Sequence, residues 1–174
     1  WYESREKFDE SQVGVPLKEH KNSGFELISG KAQFSGKILG GCIDSIYDMF
    51  DSERYEDMPA VCEKYGLFPS LDDWKDKILL LESSEELMPP EKYAKALDYL
   101  KSTGMFGVIS GIIAGKPMNG KYHDEYKRLL AEKTAEYELP VLCNINIGHA
   151  LPRCIIPFGV TAEVDAEKQT ISFA

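Results

Sequence analysis

A chain of 174 residues, 43% hydrophobic and 28% charged, is long enough for one domain with a sizeable core and has the balance of a soluble globular protein. Its formal charge of −9, with no dense Lys/Arg block, argues against nucleic acid and anionic membranes as partners. No apolar run approaches the ~20 residues of a membrane span.

The first residue is Trp1, and no secretory apolar region follows it, so the sequence reads as trimmed or cut from a longer chain. Residues 1–23 are polar and irregular, the pattern of a linker or meandering connection, and residues 24–174 carry the domain. Phe25 to Leu39 holds short apolar segments broken by Gly30 and Gly36, which predicts two short strands. Gly40-Gly41 follows, and then Ile43, Ile46, Tyr47 and Phe50 recur at helical spacing. Residues 55–66 form a weaker helix pattern. "KILLLE", Lys77 to Glu82, is a continuous apolar run of the kind found in buried strands. Pro89-Pro90 opens a helix over Glu91–Ser102, because a proline at a helix start gives up an N–H that has no partner anyway. Gly104 stops that helix.

"GVISGIIAG" reads as another buried strand, Tyr122 to Tyr137 as a helix, and Leu139-Pro140-Val141-Leu142 as the start of a further strand. After the loop around Gly148-His149 an extended segment is expected through Ile155, Ile156 and Phe158. Val160, Ala162 and Val164 alternate, as do Ile171 and Phe173, around Asp165–Lys168, which predicts a C-terminal hairpin. Strand–helix–strand–helix–strand over 77–142, with antiparallel-looking strands on either side, gives an α/β domain with a mainly parallel central sheet, flanked by helices and closed by that hairpin.

Chemistry has few candidates. Glu82 ends one buried strand, and His149, one of three histidines, follows another. Both are expected at the C-terminal edge of the sheet, where open α/β folds bind ligands. A carboxylate beside an imidazole can orient the ring and stabilise its cation. Equally, Glu82 can cap the following turn and His149 can be a polar loop residue. No nucleophile is evident. There is no G-x-S-x-G elbow, Ser35, Ser83, Ser84 and Ser110 have no supporting pattern, and Cys143 and Cys154 lie among apolar neighbours. Cys143, His149 and Cys154 fit no zinc spacing. "GIIAGKP" departs from a phosphate loop in length and in Pro117. Gly40-Gly41 before a helix could offer backbone N–H groups to an anion.

Taken together, "GGCIDSIYDMF", "KILLLESSEE", "YLKSTGMFGVISGIIAGKP" and "LPVLCNINIGHALPRCIIPFGVTAEVD" resemble the C-terminal half of the LD-carboxypeptidases, a serine peptidase family that includes the microcin C immunity hydrolases. The resemblance runs over roughly residues 36–174. It implies a swivelling-type C-terminal domain in which Glu82 and His149 are the acid and base of a Ser–His–Glu triad. The nucleophilic Ser and the oxyanion hole would lie in the protein's own N-terminal domain, preceding Trp1. It also implies substrate contacts at Gly41, Cys42 and Glu86. At three positions the chain departs from the family pattern: Cys42 replaces a common Asn, Ser83 an acid, and Glu86 the Lys of microcin-type members.

The resemblance further implies cleavage of L–D bonds in cell-wall peptides or of microcin-type acyl nucleotides. Such an enzyme would be cytoplasmic, need no cofactor or metal, and could form a homodimer, and the 174-residue piece alone would be inactive. Two other readings stay open: a non-catalytic binding or regulatory domain that retained the fold, and a Cys hydrolase using Cys143 or Cys154 with His149.

Overall fold

The computed structural model describes all residues, 1–174. Its strands are β1 (Glu26–Ser29), β2 (Gln33–Cys42), β3 (Lys77–Glu82), β4 (Gly111–Gly115), β5 (Val141–Ile145), β6 (Thr161–Asp165) and β7 (Thr170–Phe173). Its helices are α1 (Ile43–Asp48), α2 (Met58–Tyr65), α3 (Leu71–Trp74), α4 (Pro90–Ser102) and α5 (His123–Thr134). All seven strands belong to one sheet in the order β1-β5-β4-β3-β2-β6-β7. No helix is long and apolar enough to cross a membrane.

The sheet is mixed, which corrects the expectation of a mainly parallel one. Only β2–β3, β3–β4 and β4–β5 pair in parallel, while β1–β5, β2–β6 and β6–β7 are antiparallel. The reason lies in the connections. Parallel neighbours need a crossover, and helical segments supply these only between β2 and β5. β2 also runs longer than the two short strands expected around Gly30 and Gly36. Its first half pairs with β6 from Gln33 to Lys37, and its second half pairs with β3 from Lys37 to Cys42. One strand thus joins the antiparallel hairpin to the parallel centre. In "GVISGIIAG" the first residue, Gly107, ends a 3₁₀ turn at Met105–Gly107, and the strand itself begins at Gly111.

The two faces of the sheet are covered differently. On one face α1, α4 and α5 close over a core of 21 buried residues, among them Leu79, Leu81, Leu97, Ile112 and Val141. On the other face Ile78, Leu80, Ile113, Leu142 and Ile147 meet Ala162 and Val164 of the hairpin in a cluster of ten. The alternation along β3 follows from the two-residue period of a strand: Ile78 and Leu80 face the hairpin side, Leu79 and Leu81 the helices. By the same alternation Glu82 points to the hairpin side, over which the loop after β5 passes.

Candidate active site

Glu82 is the last residue of β3, and its side chain is 11% exposed. It is cradled by glycines. A Cβ on Gly148 would lie 2.2 Å from Glu82 Oε2 and 2.5 Å from its Cδ, and one on Gly115 would lie 3.1 Å from its Cβ. Gly148 also has φ +65°, a left-handed conformation that glycine adopts at little cost. The loop after β5 can therefore lie directly on the carboxylate. Ile147 and Ala150 are both 2% exposed and seat that loop between them, with the Ala150 N–H donating to the Ile147 carbonyl. The result is that His149 Nδ1 stands 2.8 Å from Glu82 Oε2. An ionised carboxylate only accepts hydrogen bonds, so Nδ1 carries the proton. The other nitrogen, Nε2, faces Glu85 Oε2 at 2.9 Å.

The structure thus brings Glu82 and His149 into one hydrogen-bonded pair and adds Glu85, which the sequence pattern did not single out. Glu85 sits three residues past Glu82 in a loop, and no periodicity marks it. Its side chain is 67% exposed, so it covers Nε2 from the solvent side. Glu86 turns elsewhere: its carboxylate is 3.5 Å from Arg54, which in turn lies 3.6 Å from Asp48.

Asp44 is a second residue that pattern reading passed over. It lies in the first turn of α1 and is 9% exposed, and its Oδ2 accepts the Ser84 N–H at 2.9 Å. Ser84 Oγ accepts the Glu86 N–H at 3.2 Å, so the loop that carries both acids is tied to the start of α1. Cys42 is in register with Glu82 across β2–β3, and its thiol donates to Asp44 Oδ2 at 3.4 Å. Gly40 and Gly41 have φ +132° and +149°. A Cβ on Gly40 would meet the Leu80 carbonyl at 2.1 Å, whereas one on Gly41 would meet nothing within 4 Å.

The exposed candidates are Ser35 and Cys154, neither of which hydrogen-bonds to His149, and the other thiols and hydroxyls are poorly placed as nucleophiles. Burial pushes the Cys42 thiol up to about 11, with the charges of Glu82 and Asp44 acting in the same direction. Burial pushes Cys143 up to about 12. Neither is a thiolate near neutral pH, and it is the thiolate that attacks. Ser83 and Ser84 are buried, and Ser110 donates its hydroxyl proton to the Lys77 carbonyl. The ring nitrogens of His149 face only the two glutamates. No three His, Cys, Asp or Glu side chains are grouped to hold a metal ion.

Residues 35–164 match the LD-carboxypeptidase C-terminal domain. Among curated proteins, the chain is 26% identical over 153 residues to a candidate carboxypeptidase of Treponema pallidum, covering 87% of this chain and 40% of that protein. It is 25% identical over 176 residues to the microcin C7 self-immunity protein MccF of Escherichia coli, covering 99% and 45%. The chain therefore spans less than half the length of these relatives. Among solved structures it is similar to an MccF-like protein from Streptococcus pneumoniae in complex with AMP. That likeness has 52% identity and a TM-score of 0.96, and it covers 100% of this chain and 50% of that one. An MccF-like protein from Bacillus anthracis, at 24% identity and a TM-score of 0.68 over 95% and 46%, shares the fold.

Proposed function

The chain belongs to the LD-carboxypeptidase C-terminal domain family, and from that premise we propose that it supplies the acid and base of a Ser–His–Glu hydrolase. The observation that carries this reading is the Glu82–His149 bond at 2.8 Å, formed through Nδ1 so that Nε2 is turned to the outer edge of the site.

In the proposed reaction a serine from the other half of the chain attacks the scissile carbonyl carbon. Its hydroxyl proton passes to His149 Nε2, and the imidazolium is stabilised by the Glu82 carboxylate. Collapse of the tetrahedral intermediate breaks the C–N bond, and His149 returns the proton to the leaving amine. Water then enters by the reverse roles: His149 takes its proton, the hydroxide attacks the acyl-serine, and the serine leaves reprotonated. Oxyanion donors, which give the largest share of such rate enhancement, would also come from the other half. Glu85 has to leave Nε2, and Nε2 has to be without a proton, for it to take one from the serine hydroxyl. Its exposed, flexible side chain makes that movement inexpensive.

Two substrate classes fit the family: cell-wall peptides with an L–D bond, and acyl nucleotides of the microcin type. The AMP held by the relative at 52% identity supports the second. The test uses the full-length protein with an LD-tetrapeptide and, separately, aspartyl sulfamoyl adenosine, with products followed by mass spectrometry. Turnover of either that disappears in His149→Ala supports the reading. Turnover that survives His149→Ala overturns it. Glu85 on Nε2 favours one alternative, a binding domain without turnover, for which the same ligands would bind and emerge intact.

A further inference from the structure

Lys116 is used by no step above, yet it lies directly after β4 at the same edge of the sheet and is only 4% exposed. Its backbone N–H donates to the Ile145 carbonyl at 2.7 Å, which fixes it between β4 and β5. No carboxylate pairs with its ammonium. Nζ instead donates to Asn22 Oδ1 at 2.9 Å and stands 5.1 Å from the centre of the Trp1 ring. Both partners belong to the N-terminal arm, residues 1–23. Burial holds the amine below the usual lysine range, and the Glu26 charge only partly opposes this. A buried ammonium answered by one amide oxygen and one aromatic face is costly to maintain, and the arm is what it secures.

The arm has further attachments around this clamp. Trp1 stacks on His20 with ring centroids 4.3 Å apart, and its ring lies against Gly120, where a Cβ would come within 3.3 Å. Ser4 N–H donates to Asn119 Oδ1 at 2.7 Å. Asn144, in β5, donates to Ser23 Oγ at 2.8 Å and to the Gly24 carbonyl at 2.5 Å. Tyr2 N–H donates at 2.8 Å to the carbonyl of Leu151, two residues past His149.

We propose that Lys116 is a positioning residue. It clamps the arm across the catalytic edge, so that the chain enters the domain against the His149 loop and the other half is delivered to Nε2 at a fixed distance. The catalytic part of this inference rests on the proposed hydrolase, but the clamp itself does not.

The test is made on the full-length protein carrying Lys116→Met, which keeps the apolar stem and removes the donor and charge. Limited trypsin digestion reads arm release at Lys7 and Lys18, both exposed. Cleavage there is expected to accelerate about tenfold or more, as local opening becomes cheaper. With an active substrate, kcat should fall about ten- to a hundred-fold while KM stays within about twofold, the signature of lost positioning rather than lost binding. Lys116→Arg should restore most of both. Asn22→Ala and Trp1→Leu act from the arm alone and should move both readouts the same way, so they decide the matter if Lys116→Met does not fold. An arm that stays protected in all of these variants overturns the clamp. A raised KM with the arm still protected also overturns it and makes Lys116 a ligand contact. If the wild-type protein turns over nothing, the hydrolase reading fails while the digestion still judges the clamp.

Discussion

Gly148 brings the backbone so close to Glu82 that a methyl group cannot fit between them, and this closeness sets the position of His149. Gly148→Ala is therefore expected to separate the pair as well as strain the loop. A left-handed non-glycine residue costs about 1–2 kcal/mol, and the clash with the carboxylate adds to that. Gly66 offers a control. Its φ is +58° and a Cβ there meets nothing within 4 Å, so Gly66→Ala carries the strain alone. Comparing thermal midpoints with kcat in the full-length protein separates the two effects. Gly148→Ala should lose activity well beyond its loss of stability, and Gly66→Ala should not.

The three acids of the loop are expected to rank just as unevenly. Glu82→Gln keeps the shape but loses the charge that balances an imidazolium and can favour the wrong tautomer, an exchange that costs about 10⁴ in turnover in a Ser–His–Asp triad. Glu85→Gln and Glu86→Gln should each change kcat by about tenfold or less, because one is an exposed cover over Nε2 and the other an exposed partner of Arg54, and such pairs are weak. Steady-state kinetics of the three variants, with circular dichroism to show that each is folded, tests the ranking. Equal losses in all three would remove the special role of Glu82. Glu82 and His149 were legible because each follows a continuous apolar strand. Glu85 and Asp44 were not, since their contacts depend on the path of the loop over residues 83–89, between β3 and α4, which no local pattern encodes.

At the scale of elements, β2 shows what a pattern of apolar residues leaves out. Gly36 reads as a break between short strands, yet it is a site of close approach within one long strand, as is Gly40. Gly40 has its Cα against the Leu80 carbonyl, and a Cβ there would lie 2.1 Å from that oxygen. Gly40→Ala should push β2 from β3 just before Cys42 and Glu82. The expected cost is about 2–4 kcal/mol from overpacking and backbone strain together, read as a shift of the urea midpoint at unchanged slope. A shift equivalent to less than about 1 kcal/mol would mean that the strand pair is looser than the register implies. Strand direction was partly legible. Burial patterns identified β3, β4 and β5 as the parallel centre and pointed to antiparallel strands beside it, and β1 and β6 do run against that centre, but how far the antiparallel part extends depends on connections that no local pattern encodes. The N-terminal arm was hidden for the same reason: polar residues that read as a linker locally are held by partners more than a hundred positions away, such as Asn119 and Leu151.

At the scale of the whole molecule, the site holds a carboxylate and an imidazole at an edge, the two groups that the proposed hydrolase takes from this half. Glu82 is anchored in a buried strand, and His149 rests on a loop that the sheet and the N-terminal arm support from two sides. Residues 1–174 alone are expected to show no turnover of an LD-tetrapeptide or an acyl nucleotide. Nε2 of His149 meets a carboxylate, which cannot be activated as an attacking hydroxyl would be. The Cys42 and Cys143 thiols, held at about 11 and 12 by burial, stay protonated near neutral pH, and Ser110 is committed to the Lys77 carbonyl. Removing a single oxyanion donor already costs about 10²–10³ in kcat, and in the proposed hydrolase those donors belong to the other half. The measurement is a product assay on the purified 174-residue piece, beside the full-length protein at equal concentration. Activity in the piece that His149→Ala abolishes would show that a nucleophile lies within these residues. Activity that survives the substitution would point away from the Glu82–His149 pair altogether. Silence in the piece, with turnover in the full-length protein, is the outcome that a divided triad requires.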